Sequence, residues 1–324
     1  MNVKKAAIIV LFVCIIFIAG IVVVSLNSDA SNWFGLGWGR GVGGSRVDID
    51  ESAKLDLSGL SEVFVSLPMG NVTVEAGEPG VTLKGYINVA EKKDKYLYVT
   101  NNDGKLAIEF DPGDLPLIHE NNIKMTIRLP QQLAADLKII NSSGDVNVNE
   151  IHGKEVTVIN ASGNIKLMGC KGGALRCSLS SGNVTVSECD FTGVDANCTS
   201  GNVRIENNSG PINVRNTSGN IDITAVSGTV DADNTSGNID IRLSGQQVSA
   251  IKAKVSSGNI KLRLSPEAAF ELNASTSSGN VGCDFDILVS GGVDRGSLKG
   301  GCNGGGEMVK LSVDSGNINV YKGQ

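Results

Sequence analysis

Asp222 and Asp240 have the clearest claim to chemistry in this chain, because each follows the same pentapeptide, Thr-Ser-Gly-Asn-Ile. A fold that repeats with the sequence sets these two carboxylates side by side, and paired carboxylates are what a glycan-active enzyme uses as acid and base. The same position of other copies carries Lys166, Thr185, Arg204 and Lys261. Arg204 is therefore expected beside Asp222, Asp240 beside Lys261, and Arg215 against Asp233, since mixed signs in a column avoid like-charge repulsion. No proton donor or basic clamp is grouped around the two aspartates, and turns this short leave little loop for a cleft. The chain is expected not to be an enzyme, with no catalytic residue assigned; a glycan-active β-helix enzyme is the alternative.

Other chemistries find less material. The two histidines, His119 and His152, leave little for a metal site or base catalysis. Calcium-binding solenoids need a Gly-Gly-x-Gly-x-Asp period, and the glycine-rich stretch from Gly300 to Gly306 holds no aspartate. No cofactor or metal is expected. A net charge of −6 supplies no basic surplus for phosphate, which argues against a nucleic-acid partner. Thr199, Thr217 and Thr235 form a hydroxyl column that becomes Ala161, Ser180, Ser256 and Ser277 elsewhere, as turn-flanking surface does.

The cysteines are more informative. Cys14 lies in the apolar N-terminal stretch; Cys170, Cys177, Cys189, Cys198, Cys283 and Cys302 follow it, without the close Cys-x-x-Cys spacing that zinc prefers. Cys170 and Cys189 each fall seven residues after a repeat glycine. They should stack one turn apart, at about 4.8 Å, inside the window for a disulfide. That pair is the disulfide candidate. Cys177 and Cys198 point inward but are offset by two residues, which suits small core residues.

The elements that must position these groups come from one repeat. Gly144, Gly163, Gly182, Gly201, Gly219, Gly237, Gly258 and Gly279 each follow Ser and precede Asn or Asp, at spacings of 19, 19, 19, 18, 18, 21 and 21 residues. A last copy at Gly316 lies 37 residues on, room for two turns, with a degenerate copy at Gly296-Ser297-Leu298. Two and four residues after each glycine stand Val, Ile or Leu (Ile221 and Ile223 after Gly219), with Cys283 as one exception, and seven before stand Leu, Val or Ile. Two half-buried strands per turn follow from that period of two, and neither buries its apolar face unless turns stack in parallel. The reading is an all-β chain forming a parallel β-solenoid of about 18–21-residue turns. The nine glycines are assigned as structural corners, where positive φ is needed. Asn141, Asn160, Asn216 and Asn234, three before their glycines, are expected to point inward as amide ladders.

Ahead of the repeats, 1–30 is read as an uncleaved membrane anchor, with a cleaved signal peptide as the rival reading. The run from Ala6 to Leu26 is uncharged, long enough to span a bilayer, and preceded by Lys4 and Lys5, which sets the N-terminus inside. Residues 31–46, with Trp33, Phe34 and Trp38 among glycines, read as a linker skimming the membrane. Residues 47–136 alternate in strand fashion and read as a strand-rich N-terminal cap with a first turn, and 137–324 as the solenoid. The expected location is the cell membrane, single-pass, with the C-terminal part outside the cytoplasm.

Asp56-Leu57-Ser58-Gly59-Leu60 before Val63-Phe64-Val65, Ile127-Arg128-Leu129-Pro130, the iterated Ser-Gly-Asn-Ile and the glycine-rich approach to Ser315-Gly316-Asn317-Ile318 resemble the DUF4097 family, also labelled "putative adhesin". The resemblance covers roughly residues 47–323. It implies a bacterial envelope or surface protein of β-strand repeats, in some members linked to envelope stress, and brings no catalytic residues. The expected function is a membrane-anchored, extracytoplasmic, adhesin-like interaction module, with an accessory role in envelope-stress signalling as the alternative. Its expected partner is an envelope or surface component, protein or glycan.

Overall fold

The computed structural model describes residues 45–113, 121–225, 227–245, 248–289 and 294–323. The expected anchor, most of the linker and His119 lie outside them; the linker's last residues, Ser45 and Arg46, already open the strand Ser45–Lys54. Among the described residues, no helix is long and apolar enough to cross a membrane.

Each repeat contributes one strand before its glycine and one after it: Ile212–Ser218 and Ile221–Ala225 flank Gly219. Strands of the first kind join a leading sheet, those of the second a trailing sheet, and both sheets are parallel through the repeats. Register follows the glycine. Leu137, Val156, Leu175, Val194, Ile212, Val230 and Ile251 are successive partners in the leading sheet. Their side chains are buried between the sheets with Val146, Ile165, Val184, Val203, Ile221, Ile239 and Ile260 of the trailing sheet. Burying one such side chain is worth about 1.5–3 kcal/mol, and only stacking makes that burial complete.

The stack does not follow chain order at its ends. After the Gly258 rung the chain leaves one slot empty, builds Phe270–Ser278 and Val281–Cys283, then turns back. Glu307–Ser315 fills the slot, pairing Ile251–Ser257 on one side and Phe270–Ser278 on the other. The final Ser-Gly-Asn is therefore the penultimate rung in space, a correction to the two further turns expected from its spacing. The degenerate copy at Gly296-Ser297-Leu298 is likewise not a rung. Asp294 accepts the Gly296 N–H at 2.7 Å in a tight turn, and Ser297–Cys302 runs antiparallel to Phe270–Ser278. A short reversal reaches an antiparallel partner, whereas a parallel one needs a long crossover.

The other end repeats this plan. Glu62–Leu67 and Asn71–Ala76 form the rung beside Asp136–Ser143, and Lys105–Phe110 with Asn121–Leu129 form the next one out. Antiparallel strands cover both sheets there, Gly80–Val89 and Ser45–Lys54 on the trailing sheet and Leu97–Asn102 on the leading one. The Glu51 carboxylate fastens the two covers, accepting the N–H groups of Tyr96 at 3.0 Å and Leu97 at 2.8 Å.

Candidate binding faces

The corner glycines share one geometry, with φ between 113° and 152° from Gly144 to Gly316. At Gly219, φ is 122°, and a Cβ would overlap the carbonyl oxygen of Gly201. Glycine is required there for backbone conformation and for the close approach of successive corners.

The amide ladder lies on the asparagine after each glycine. Asn183 Oδ1 accepts the backbone N–H of Asn202 at 3.0 Å and its side-chain amide at 3.1 Å, and the pattern recurs from Asp145 to Asn317. The inward asparagines form no ladder with one another, which corrects that expectation. Asn160, Asn216 and Asn234 instead donate Nδ2 to the corner carbonyls of Gly144, Gly201 and Gly219 at 2.8–2.9 Å, and their Oδ1 atoms have no partner among the described residues. The inward-facing glycine carbonyl needs a donor, and a buried amide supplies it. Thr276 does the same for Gly316 at 2.9 Å.

Asp222 and Asp240 do lie in adjacent register on the trailing sheet. Arg242 bridges them, at 2.9 Å to each carboxylate, and Arg263 reaches Asp240 at 2.6 Å. Arg204 is in register with Asp222 but bonds Glu206 on its own strand at 2.8 Å, and Asp240 is bound by Arg263 rather than by its register partner Lys261. Long guanidinium side chains choose diagonal partners, which register alone does not reveal. Both carboxylates are acceptors engaged by arginine. Arg215 and Asp233 are register neighbours.

On the leading sheet a groove of about 680 Å³ runs along the corner opposite the glycines. Gly193, Pro211, Thr229 and Ala250 form its small-residue floor, one per rung from successive turns, and it extends from Ala174 to Met308. Five steps of about 4.8 Å give it a length of about 24 Å. Arg176, Asp195, Asp231, Lys252 and Lys310 edge one side; Arg176 pairs with Glu155, and Lys252 with Asp231 at 2.9 Å. A second hollow of about 610 Å³ shares Thr229 and Ala250 and continues to Gly305 and Glu307. The sequence motifs missed this groove, although Ala174, Gly193, Pro211, Thr229 and Ala250, eight before the glycines from Gly182 to Gly258, are its signal. His152 is apart from it, its Nδ1 accepting from Gln132 Nε2 at 2.9 Å.

Cys170 and Cys189 are stacked on successive rungs, both buried as thiols. The Cys170 N–H donates to Cys189 Sγ at 3.4 Å, and Cys189 Sγ donates to the Ser187 carbonyl at 3.2 Å. The Cys170 thiol beside it, together with burial, raises the Cys189 thiol well above its ordinary range, against the lowering effect of the Cys170 N–H. Cys177 is pushed up to about 12 by burial, with a smaller contribution from the Asp195 charge. The sequence pattern also left Cys283 and Cys302 unassigned; both belong to the end of the stack opposite Glu51.

Among curated proteins, none matches the chain in sequence. Several solved structures are similar over most of the chain. A "putative adhesin" from Bacteroides fragilis is 15% identical, with 87% of this chain and 100% of that one covered and a TM-score of 0.45. A "putative adhesin" from Parabacteroides distasonis is 13% identical over 86% of this chain and 98% of that one, with a TM-score of 0.49. A "putative lipid binding protein", also from Parabacteroides distasonis, is 18% identical over 84% and 97%, with a TM-score of 0.34. The family model described as Toastrack DUF4097 matches residues 62–249 and 212–321. Together these matches take in far more than half of the 324 residues, and the chain belongs to the Toastrack DUF4097 family.

Proposed function

We propose that this protein is a non-enzymatic binding module of the bacterial envelope, tethered by its N-terminal apolar segment with the stack outside the cytoplasm. The observation that carries the reading is the groove on the leading sheet. It crosses six rungs without interruption and offers donors and acceptors at the fixed rung spacing along an otherwise small-residue floor. Such a trough suits an extended polymer of the envelope, protein or glycan, better than a compact metabolite, which pockets of similar volume enclose. The uncharged run from Ala6 to Leu26 behind Lys4 and Lys5 supports the tether and its orientation. In an exported protein the stacked Cys170 and Cys189 close as a disulfide, and non-reducing peptide mapping of envelope-isolated protein that finds both as free thiols removes that assignment.

The test is a pull-down of purified protein on cell wall, membrane vesicles and immobilised glycans, alongside Thr229→Trp, which fills the groove from an exposed position. One matrix is expected to retain the wild-type protein and to lose the variant at unchanged melting temperature. Retention by none, or equal retention of both, defeats the reading.

A further inference from the structure

At the end of the stack opposite Glu51, two cysteines from different sheets converge on one aromatic pair. Cys283 closes the trailing strand Val281–Cys283, where it registers with Val320. Cys302 closes the hairpin strand Ser297–Cys302, between Phe270 on one side and Ile287 on the other. The chain beyond Cys283 folds back over the core, so that Phe285 packs edge-on against the same Phe270 with ring centroids 5.2 Å apart. Lys322 Nζ sits 5.4 Å from the Phe285 ring. Cys302 is buried, and Cys283 is half-buried against the same core. Burial raises both thiols; at Cys283 the Phe285 N–H lowers it and a charge on Cys302 raises it, and Lys322 lowers both.

We propose that Cys283 and Cys302 are an oxidisable pair whose disulfide staples the terminal hairpin across the mouth of the stack, joining the last strand of one sheet to the cover of the other. The placement gives the bond a mechanical task. Among the described residues, Ile287–Val289 is a three-residue edge strand that pairs with Ser297–Cys302 alone, with Leu288 84% exposed. The opposite end carries long covers fastened by Glu51; this one relies on a short hairpin and the Phe270–Phe285 contact. Cys170 and Cys189 share a different setting, stacked within parallel rungs in mid-solenoid. The inference stands whether or not the groove binds anything.

The oxidant is a small-molecule disulfide such as oxidised glutathione. Cys283, the more accessible thiol, attacks as thiolate, forming a mixed disulfide and releasing one glutathione thiolate. The Cys302 thiolate then attacks Cys283 sulfur, releasing the second. Two protons leave the protein thiols for the two glutathiones, and two electrons pass from the pair to the glutathione disulfide.

The experiment incubates the folded full-length protein with oxidised glutathione, quenches in acid, alkylates remaining thiols and maps the peptides without reduction. The expected product joins Cys283 to Cys302, and amide exchange in Ser297–Cys302 slows severalfold on oxidation. Cys302→Ser should retain glutathione on Cys283, while Cys283→Ser should leave Cys302 unmodified. Wild-type protein in which both cysteines are alkylated, or carry separate glutathiones, or pair with other cysteines, overturns the proposal without reference to either variant.

Discussion

The backbone N–H of Asn317 donates to Oδ1 of Asn259 at 3.0 Å, although 58 residues separate them in the chain. The residue that continues the ladder beyond Asn317 is Asn280, whose N–H donates to Asn317 Oδ1 at 2.9 Å. Glu307–Ser315 and Ile318–Lys322 thus form an interior rung, paired on both sides. Amides of Val309, Leu311 and Val313 are expected to exchange as slowly as those of Ile212 and Val214, measured by native-state hydrogen exchange. Protection of the kind shown by a fraying terminus would contradict this.

Gly219→Val is expected to destabilise by about 3 kcal/mol or more, since it combines an unfavourable φ with overlap on the Gly201 carbonyl. Urea unfolding measures it. An unchanged midpoint would mean that the corner backbone can relax.

The second corner works under mild strain. Glu150 and Glu188 hold φ of 56° and 54°, where the intervening turn has Gly169 at 64°. Both glutamates are exposed. A left-handed residue with a Cβ costs about 1–2 kcal/mol, and glycine returns about half of that gain through its freer unfolded chain. Glu188→Gly should therefore stabilise by about 0.5–1 kcal/mol, seen as a raised melting temperature.

Cys177 sets a direction for alkaline stability. Its folded value is raised to about 12 from an ordinary value near 9, so above pH 9 the unfolded chain loses a proton that the folded one keeps. The contribution is complete below pH 9 and is lost as pH rises towards 12, at up to about 1.4 kcal/mol per pH unit. Cys177→Ala should flatten the wild-type slope over that window. Parallel slopes from pH-dependent urea titrations would refute the assignment.

Arg242→Gln removes the guanidinium that bridges Asp222 and Asp240, leaving Arg263 on Asp240 and Arg204 in register with Asp222. The pair is partly exposed, so the expected loss is about 1 kcal/mol, smaller at high salt. Unfolding at low and high ionic strength separates this from a packing effect, which salt would not change.

Most of the wall-to-wall pattern was legible in the sequence. Val and Ile at fixed offsets from each glycine specify strand phase, and register in the structure follows them residue for residue from Leu137 to Ile251. Rung order at the ends was not legible, because Val309 and Leu311 carry the same apolar pattern as Leu272 and Ala274, and nothing local says which neighbour each will take. The antiparallel return of Ser297–Cys302 was hidden for the same reason, its Gly-Ser resembling a corner. The ladder was assigned to inward asparagines because parity places them there, whereas the choice of partner is made by the unbonded glycine carbonyl. The groove was missed since its floor is marked by small residues rather than by chemically active ones.

Interleaving at both ends has a consequence for how such a molecule can change length. Among the described residues the covering strands pair only with the outermost rungs, and the interior ones share a register, a corner and a ladder asparagine. Duplicating or deleting one eighteen- or nineteen-residue unit between Gly163 and Gly237 would lengthen or shorten the groove by about 4.8 Å and leave both closures untouched. The molecule is a ruler graduated in repeats, and the length of its groove can be reset by gene slippage without redesigning either end.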